Sequence, residues 1–258
     1  MTDFAPGTDL HACARIVEQG DPDRFAAAMA APLAARAVLF PLYAFNVEVA
    51  RAPWVTQEPM IAQMRLQWWA DVLTEIEAGG PVRRHEVATP LAVIGAQAAG
   101  RLQQLVEARR LDTERAPFDD AAALDAYLAD TAGGLAMAAA QALGAQATDS
   151  LAPWGRAAGF VRYMQAVPDL EARGKQPLPD GRAETIADMA RAHLEVLEPR
   201  GIRRLRAALG PDAGAAAIEF WQVEPLLRLI SAEPGRVADG TVTLSDFAKR
   251  WRLMRAAF

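Results

Sequence analysis

Two apolar segments with helical periodicity, each containing a proline, constrain the fold of this chain most strongly. Residues 42–54 read LYAFNVEVARAPW, and residues 159–179 read GFVRYMQAVPDLEARGKQPLP. A helix with so few charges is typically buried. Because the residue before a proline is disfavoured in helical geometry, we predict inward-facing helices that end at Pro53 and at Pro168, the second one over residues 150–167.

The rest of the chain repeats the helical pattern. Phe25, Met29 and Leu33 recur on one helical face, and similar spacing continues to a final helix over residues 246–258. The only strand-like alternation, residues 241–244, is too short to matter. The 258 residues, 52% of them hydrophobic, suffice for one large core, and no repeat or linker divides them. We predict a single all-α domain over residues 1–258.

Charge and cysteine content exclude several classes of protein. The net charge of −5 argues against nucleic acid as a partner, because phosphate binding needs a basic surface. The one cysteine, Cys13, cannot form an internal disulfide, and we expect a buried, inert thiol. The first residues lack a signal-peptide pattern, and no segment supplies ~20 uncharged apolar residues. We expect a cytoplasmic protein, with peripheral contact at the inner membrane left open.

Motifs for metal or nucleotide chemistry are absent from the sequence. The three histidines have no zinc-binding spacing, and there is no Walker loop, GxGxxG or GxSxG. Asp119, Asp120 and Asp125 are explained as acids near a helix start, where the helix dipole favours them. Asp130 is predicted to face the same direction as Tyr127.

Gly133 and Gly134 fall inside a predicted helix, where each glycine costs about 1 kcal/mol relative to alanine. A tight helix crossing or the close approach of a ligand would justify them. A simple kink in the helix is the alternative.

Several segments, in the same order along the chain, resemble the squalene/phytoene synthase family of head-to-head prenyl transferases. They are Asp23-Arg24-Phe25, residues 42–46 (LYAFN), Trp68-Trp69 with Gly79-Gly80 and His85, residues 127–134, and residues 174–179 (GKQPLP). The resemblance covers roughly residues 23–180. It implies an all-α, isoprenoid-synthase-like bundle with a central cavity.

The chain departs from that family where the family binds magnesium. Two aspartate-rich motifs there hold the metal against the substrate diphosphate, and in our alignment their aspartates fall on Ala50, Trp54, Ala166 and Leu170. None of these side chains can ligate magnesium, which needs oxygen ligands. Prolines between the paired positions should also keep each pair off a common helix face. The resemblance therefore implies no metal or cofactor, with magnesium required only if the protein is an enzyme.

Basic residues occur near the missing aspartates and could bind an anion without metal. They are Arg51, Arg162, Arg173 and Lys175. Alternatively, Arg51 and Arg162 form ion pairs with Glu48, Asp169 or Glu171 in a closed pocket. The candidate pocket for an anion or lipid comprises Tyr43, Asn46, Ala50, Arg51, Tyr127, Asp130, Gly134, Arg162, Ala166 and Lys175. No catalytic residue is assigned.

One subgroup of the family shares these departures. Residues 44–48 (AFNVE), residues 64–68 (MRLQW), and Ala166 and Pro168 before Leu178-Pro179 resemble the mitochondrial complex I assembly factors of squalene/phytoene-synthase type. This resemblance implies a non-catalytic assembly factor, with a respiratory-complex subunit as partner and a prenyl-type or other anionic lipid as ligand.

Two other functions remain open at this point. One is an active prenyl transferase of terpenoid biosynthesis, with a displaced metal site built from Glu48, Asp130, Asp169 and Glu171. The other is a carrier of polyprenyl lipid.

The C-terminal segment FAKRWRLMRAAF combines basic and aromatic residues. Its membrane-contact candidates are Lys249, Arg250, Trp251, Arg252 and Arg255. Such a helix could lie on an anionic membrane surface. The simpler expectation is a terminal helix whose apolar side, including Phe258, docks on the core.

Overall fold

A computed structural model describes residues 4–56, 58–197 and 201–257, and within these ranges the chain forms α-helices and no strand. The all-α prediction is confirmed. The helices are α1 (Asp9–Gly20), α2 (Pro22–Ala30), α3 (Leu33–Arg51), α4 (Pro59–Glu77), α5 (Ala88–Leu91), α6 (Gly95–Ala108), α7 (Ala121–Leu128), α8 (Gly134–Ala142), α9 (Ala152–Ala172), α10 (Ala183–Glu195), α11 (Gly201–Leu209), α12 (Val223–Ala232), α13 (Gly235–Ala238) and α14 (Asp246–Ala257).

Helix α3 runs through the core, as its apolar sequence predicts. Phe40, Tyr43 and Phe45 are almost completely buried. The helix ends at Arg51, and Ala52–Trp54 continue as one 3-10 turn around Pro53. Leu33–Trp54 is long and apolar enough to span a membrane by length and composition. No such segment was expected from the sequence. In the structure, 61% of its apolar window is buried inside the protein.

Helix α9 does not end at Pro168, and the predicted break there is wrong. The helix runs from Ala152 to Ala172 with Pro168 inside it, and the Arg173 amide still donates to the Asp169 carbonyl at 3.2 Å. An interior proline costs about 3 kcal/mol. Packing of α9 against α7, α8 and α12 offsets that cost.

The paired glycines mark a tight helix crossing. Residues Ala129–Gly133 form a π-helical turn between α7 and α8, and this turn packs on α9. A Cβ atom added to Gly155 would lie 2.8 Å from the Cα of Gly133. A Cβ added to Gly134 would meet no atom within 4 Å. The crossing therefore requires glycine at position 155, beside Gly133. A Cβ on Gly133 itself would meet no atom closer than 3.7 Å, so neither member of the pair is required by sterics.

Helical periodicity predicts one helix over residues 91–109 and another over residues 212–231, and each is divided in the structure. The first is divided into the end of α5, a 3-10 turn (Ala92–Ile94) and α6. The second is divided into a 3-10 helix, Ala213–Phe220, and α12. A helix break is also predicted at Pro199-Arg200-Gly201, of which Pro199 and Arg200 lie outside the described residues, as does the side chain of Phe258.

Candidate functional site

A cavity of about 430 Å³ lies between α2, α3, α7 and α9. Six of the predicted pocket residues line it: Asn46, Ala50, Arg51, Tyr127, Arg162 and Ala166. The bundle therefore does bring the two segments around residues 42–54 and 159–170 together.

The other four predicted pocket residues do not line this cavity. Tyr43 is buried, with its ring 5.5 Å from the guanidinium carbon of Arg24, which is a lining residue. Lys175 is buried. Its Nζ donates to Asp112 and lies 5.9 Å from the centre of the Trp54 ring, and both of these residues line the cavity. Asp130 is exposed and Gly134 is buried at the start of α8.

The positions aligned with the family's magnesium ligands all face the cavity. Ala50, Trp54, Ala166 and Leu170 are among its lining residues. Because α9 is continuous, Ala166 and Leu170 share one helix face, so the argument that a proline would separate this pair is wrong. Helix α3, by contrast, does end at Arg51, before Trp54. What distinguishes these positions is the chemistry of their side chains, which carry no oxygen ligand.

One wall of the cavity is a buried network of four charged residues. Glu219 Oε2 accepts hydrogen bonds from Arg24 Nε at 2.6 Å and from Arg162 Nη2 at 3.3 Å. Asp21 Oδ2 accepts from Arg24 Nη1 at 2.7 Å. Burial alone would raise the pKa of Asp21, but Arg24 and Arg162 together hold that pKa below its ordinary value. Both carboxylates are thus already neutralised by arginine.

A second buried network forms the opposite wall around Asp112. Its Oδ2 accepts hydrogen bonds from the Tyr127 hydroxyl at 2.7 Å and from Arg109 Nη1 at 3.1 Å. Its Oδ1 accepts from Lys175 Nζ at 3.1 Å. Burial raises the pKa of Tyr127 well above its ordinary value, so its hydroxyl stays protonated and donates to Asp112.

Each network leaves one buried guanidinium N–H without an acceptor. Arg109 Nε and Arg162 Nη1 have no hydrogen-bond partner within the described ranges, and both residues line the cavity. Glu219 Oε1 is also unpaired. An unpaired buried N–H costs about 1–3 kcal/mol, and more for a charged group. An oxyanion in the cavity would lie beside both cationic side chains.

The carboxylates of the alternative metal site do not line the cavity. Glu48 receives a hydrogen bond from Arg51 at 3.4 Å, while Asp130, Asp169 and Glu171 are exposed. In the part of the chain that the structure describes, no three His, Cys, Asp or Glu residues are grouped to hold a metal ion.

Both arginines form ion pairs, as the alternative predicted, but only Arg51 does so with a predicted partner. Arg51 pairs with Glu48, as expected. Arg162 pairs with Glu219 and Asp21, and the predicted partners Asp169 and Glu171 are wrong.

A second cavity of about 740 Å³ adjoins the first, and both are lined by Trp54 and Asp112. The guanidinium carbon of Arg173 lies 5.5 Å from the centre of the Trp54 ring, and Lys175 Nζ lies 5.9 Å from it. Trp54 thus lies between the two cavities, and Arg173 and Lys175 give the second one a basic wall.

Asp120 and Asp125 have structural partners. Asp120 caps α7, since its Oδ1 accepts from the Ala123 amide at 2.8 Å, which confirms the helix-start interpretation. Asp125 Oδ2 accepts from Arg156 Nη1 at 2.9 Å, and its Oδ1 lies 3.9 Å from His193 Nε2.

Sequence reasoning missed several residues of the two networks: Asp21, Arg109, Asp112 and Glu219. Glu219 had a usable signal, because it is the only charged residue in the apolar run of residues 213–221. A lone charge in such a run is buried only if it is paired. Arg109 and Asp112, spaced i, i+3, gave a weaker signal.

Comparison with known proteins gives a family and a group of relatives. A sequence model of the squalene/phytoene synthase family matches residues 17–238. The human protein NADH dehydrogenase (ubiquinone) complex I, assembly factor 6, is 26% identical over 183 residues, which are 67% of this chain and 53% of that protein. The mouse protein of the same name is 21% identical over 255 residues, 95% of this chain and 74% of that protein. The chain spans about half the length of the human relative.

Solved structures show the same fold. A dehydrosqualene synthase aligns with a TM-score of 0.72 and 14% identity, covering 96% of this chain and 95% of its own. Squalene synthase HpnC from Alicyclobacillus acidocaldarius aligns with a TM-score of 0.68 and 16% identity, covering 87% of this chain and 94% of its own. The predicted isoprenoid-synthase-like bundle is confirmed.

Proposed function

The chain belongs to the squalene/phytoene synthase family, and from that premise we propose that it is a non-catalytic assembly factor for respiratory complex I. We further propose that its cavity holds an anionic, prenyl-type lipid without a metal ion. The assembly role is supported by relatives named as complex I assembly factor 6 in human, cow, mouse and fruit fly.

The hydrogen-bond pattern of the cavity carries the proposal for its ligand. The carboxylates Asp21 and Asp112 are already bonded to basic side chains, whereas Arg109 and Arg162 each retain an unpaired N–H. Arginine suits phosphate because its donors lie in one plane and it remains charged. A phosphate or diphosphate group would therefore contact the arginines directly.

Apolar and small side chains support the absence of catalysis and the prenyl-type ligand. In our alignment, Ala50, Trp54, Ala166 and Leu170 occupy the positions where active family members need oxygen ligands for magnesium, and all four line the cavity. The same four side chains give the cavity an apolar wall for a prenyl chain.

A cytoplasmic location at the surface of the inner membrane is part of the proposal. It is supported by α14, which exposes basic residues together with Phe247, Trp251 and Met254.

Deletion of the gene tests the assembly role. We expect the deletion strain to lose fully assembled complex I on native gels and NADH:quinone oxidoreductase activity in its membranes, and the wild-type gene to restore both. Arg162→Gln should restore assembly poorly if the bound lipid is required, whereas Arg228→Gln, at an exposed pair with Glu224, should restore it fully. Normal assembly in the deletion strain would overturn the proposal.

A lipid carrier without an assembly role is the second candidate. It is favoured by the size of the adjoining cavities, about 430 Å³ and about 740 Å³. Polyprenyl lipid extracted from the purified protein, together with normal complex I in the deletion strain, would select this function.

A further inference from the structure

A cleft of about 370 Å³ lies between α11, α12 and α14, on a different part of the molecule from the central cavity. Its aromatic lining includes the buried side chains of Trp154, Phe220 and Trp221. Its exposed charged lining consists of Arg203, Arg252 and Arg255 together with Glu224, whose carboxylate is paired with Arg228. An aromatic surface beside a cationic one suits an amphiphile with an anionic head group.

The basic residues around this cleft have no acidic partner among the described residues. Arg203 on α11, and Lys249, Arg250, Arg252 and Arg255 on α14, take part in no ion pair there. Asp246 is the only acid on α14. In a chain with a net charge of −5, this helix is a local concentration of positive charge.

Helix α14 also presents apolar side chains to solvent. Phe247 is 79% exposed, Trp251 50% and Met254 47%. These residues are spaced i, i+4, i+7 and therefore lie along one side of the helix. Ala256, by contrast, is buried, and Leu253 packs against the core. The expectation that the whole apolar side of this helix docks on the core is thus wrong for three of its largest residues.

Trp221 supplies an independent indication of a ligand. Its side chain lines the cleft and is only 4% exposed, and its indole N–H has no hydrogen-bond acceptor in the described part of the chain. Buried indole N–H groups usually find an acceptor. A phosphate or ester oxygen of a molecule in the cleft would provide one.

We infer that this cleft binds an anionic phospholipid at the membrane surface. The phosphate lies among Arg203, Arg252 and Arg255, an acyl chain packs on the aromatic lining, and the exposed side chains of α14 enter the lipid interface. Three exposed apolar side chains are too few for a stable protein interface, which typically buries about 800 Å² on each partner. A basic helix with aromatic and aliphatic side chains matches an anionic bilayer instead.

The inference rests on the membrane contact in the proposed function, and it is tested with purified protein. The probes are vesicles of phosphatidylcholine alone and vesicles of equal parts phosphatidylcholine and phosphatidylglycerol, with binding measured by co-sedimentation. We expect binding only to the anionic vesicles. Each basic side chain near an anionic surface contributes about fivefold, so Arg252→Gln/Arg255→Gln should weaken binding by about thirtyfold.

The matched control is Arg15→Gln/Arg65→Gln, which removes the same charge from exposed positions on α1 and α4. It should bind like the wild type. Equal binding to both kinds of vesicle, or an equal effect of the two double variants, would overturn the inference. Because complex I is absent from this assay, a failure here is separate from a failure of the assembly role.

Entry of the lipid into the cleft is tested by tryptophan quenching. Phosphatidylglycerol with brominated acyl chains quenches nearby indoles. In the variant Trp54→Phe/Trp251→Phe, the tryptophans left beside either proposed lipid site are the buried Trp154 and Trp221 of the cleft. We expect substantial quenching in this variant. Loss of all quenching would show that the lipid contacts only the outer surface of α14 and would overturn the cleft site.

Discussion

Glu219 Oε2 lies 2.6 Å from Arg24 Nε, which joins side chains 195 positions apart in the sequence. Both side chains are almost completely buried. The pair connects α2 to the 3-10 helix Ala213–Phe220, and Arg162 of α9 bonds to the same carboxylate oxygen at 3.3 Å. One carboxylate thus fixes three elements around the cavity.

Removal of this carboxylate should be strongly destabilising. We expect Glu219→Leu to lower the free energy of unfolding by about 3–5 kcal/mol, because it leaves Arg24 buried with reduced charge compensation. The control, Glu224→Gln, breaks an exposed pair with Arg228 and should cost at most about 1 kcal/mol. Urea unfolding of both variants measures the difference. Similar small losses would show that the buried pair is dispensable.

The glycine at the helix crossing should not tolerate a methyl group. In Gly155→Ala the new Cβ would lie 2.8 Å from the Cα of Gly133 and 3.1 Å from the Ala132 carbonyl oxygen. Backbone atoms cannot move aside cheaply, so we expect a loss of about 1–3 kcal/mol in unfolding free energy. Gly235→Ala, where nothing lies within 4 Å of the new Cβ, should be neutral or gain up to about 1 kcal/mol. Equal thermal stability of the two variants would contradict the crossing geometry.

His193 should make stability depend on pH. Burial lowers the pKa of His193 to about 4 from the ordinary value of 6.5, although Asp125 opposes the shift. Between pH 6.5 and pH 4, His193 therefore binds a proton in the unfolded chain but not in the folded chain. The stabilisation that is fully present above pH 6.5 is lost as pH falls towards 4. The loss is at most about 3 kcal/mol. In His193→Phe the unfolding free energy should fall less over this interval, and an unchanged pH dependence would contradict the assignment.

Cys13 should resist alkylation in the folded protein. Its thiol is buried and donates to the Glu86 carbonyl at 3.4 Å, and burial raises its pKa to about 12. Since the thiolate is the reactive form, iodoacetamide should modify the protein only after unfolding. Mass spectrometry of native and urea-unfolded samples gives the two rates. Rapid modification of the native protein would show that α1 opens readily.

Local sequence patterns were sufficient to predict the helices that hold the cavity, and they failed at Pro168. The apolar run of α3 follows from periodicity and its end near Pro53 from proline geometry, although Pro41 lies inside the same helix. At Pro168 the same proline rule failed, because tertiary packing on both sides of α9 outweighs a local preference.

The pocket was predicted less completely than the helices. Arg162 was identified from the sequence, but its partners Asp21 and Glu219 are distant along the chain, and only packing of the bundle brings them together. Lys175 was placed in the pocket as an anion ligand, and the structure shows it bonded to Asp112 instead. Ion-pair choice between distant residues is a property of the tertiary fold, which periodicity does not encode.

The most direct test of the central claim is a thermal-shift titration with farnesyl diphosphate, performed with magnesium and again with a chelator. A ligand at one hundred times its dissociation constant stabilises by about 2.7 kcal/mol, which raises the melting temperature by roughly 5–10 °C in a protein of this size. We expect the same shift under both conditions, lost in Arg162→Gln and kept in Arg228→Gln. A shift that appears only with magnesium would show a working metal site. No shift at all would show that the cavity does not bind this ligand. Either result would contradict metal-free binding by arginine.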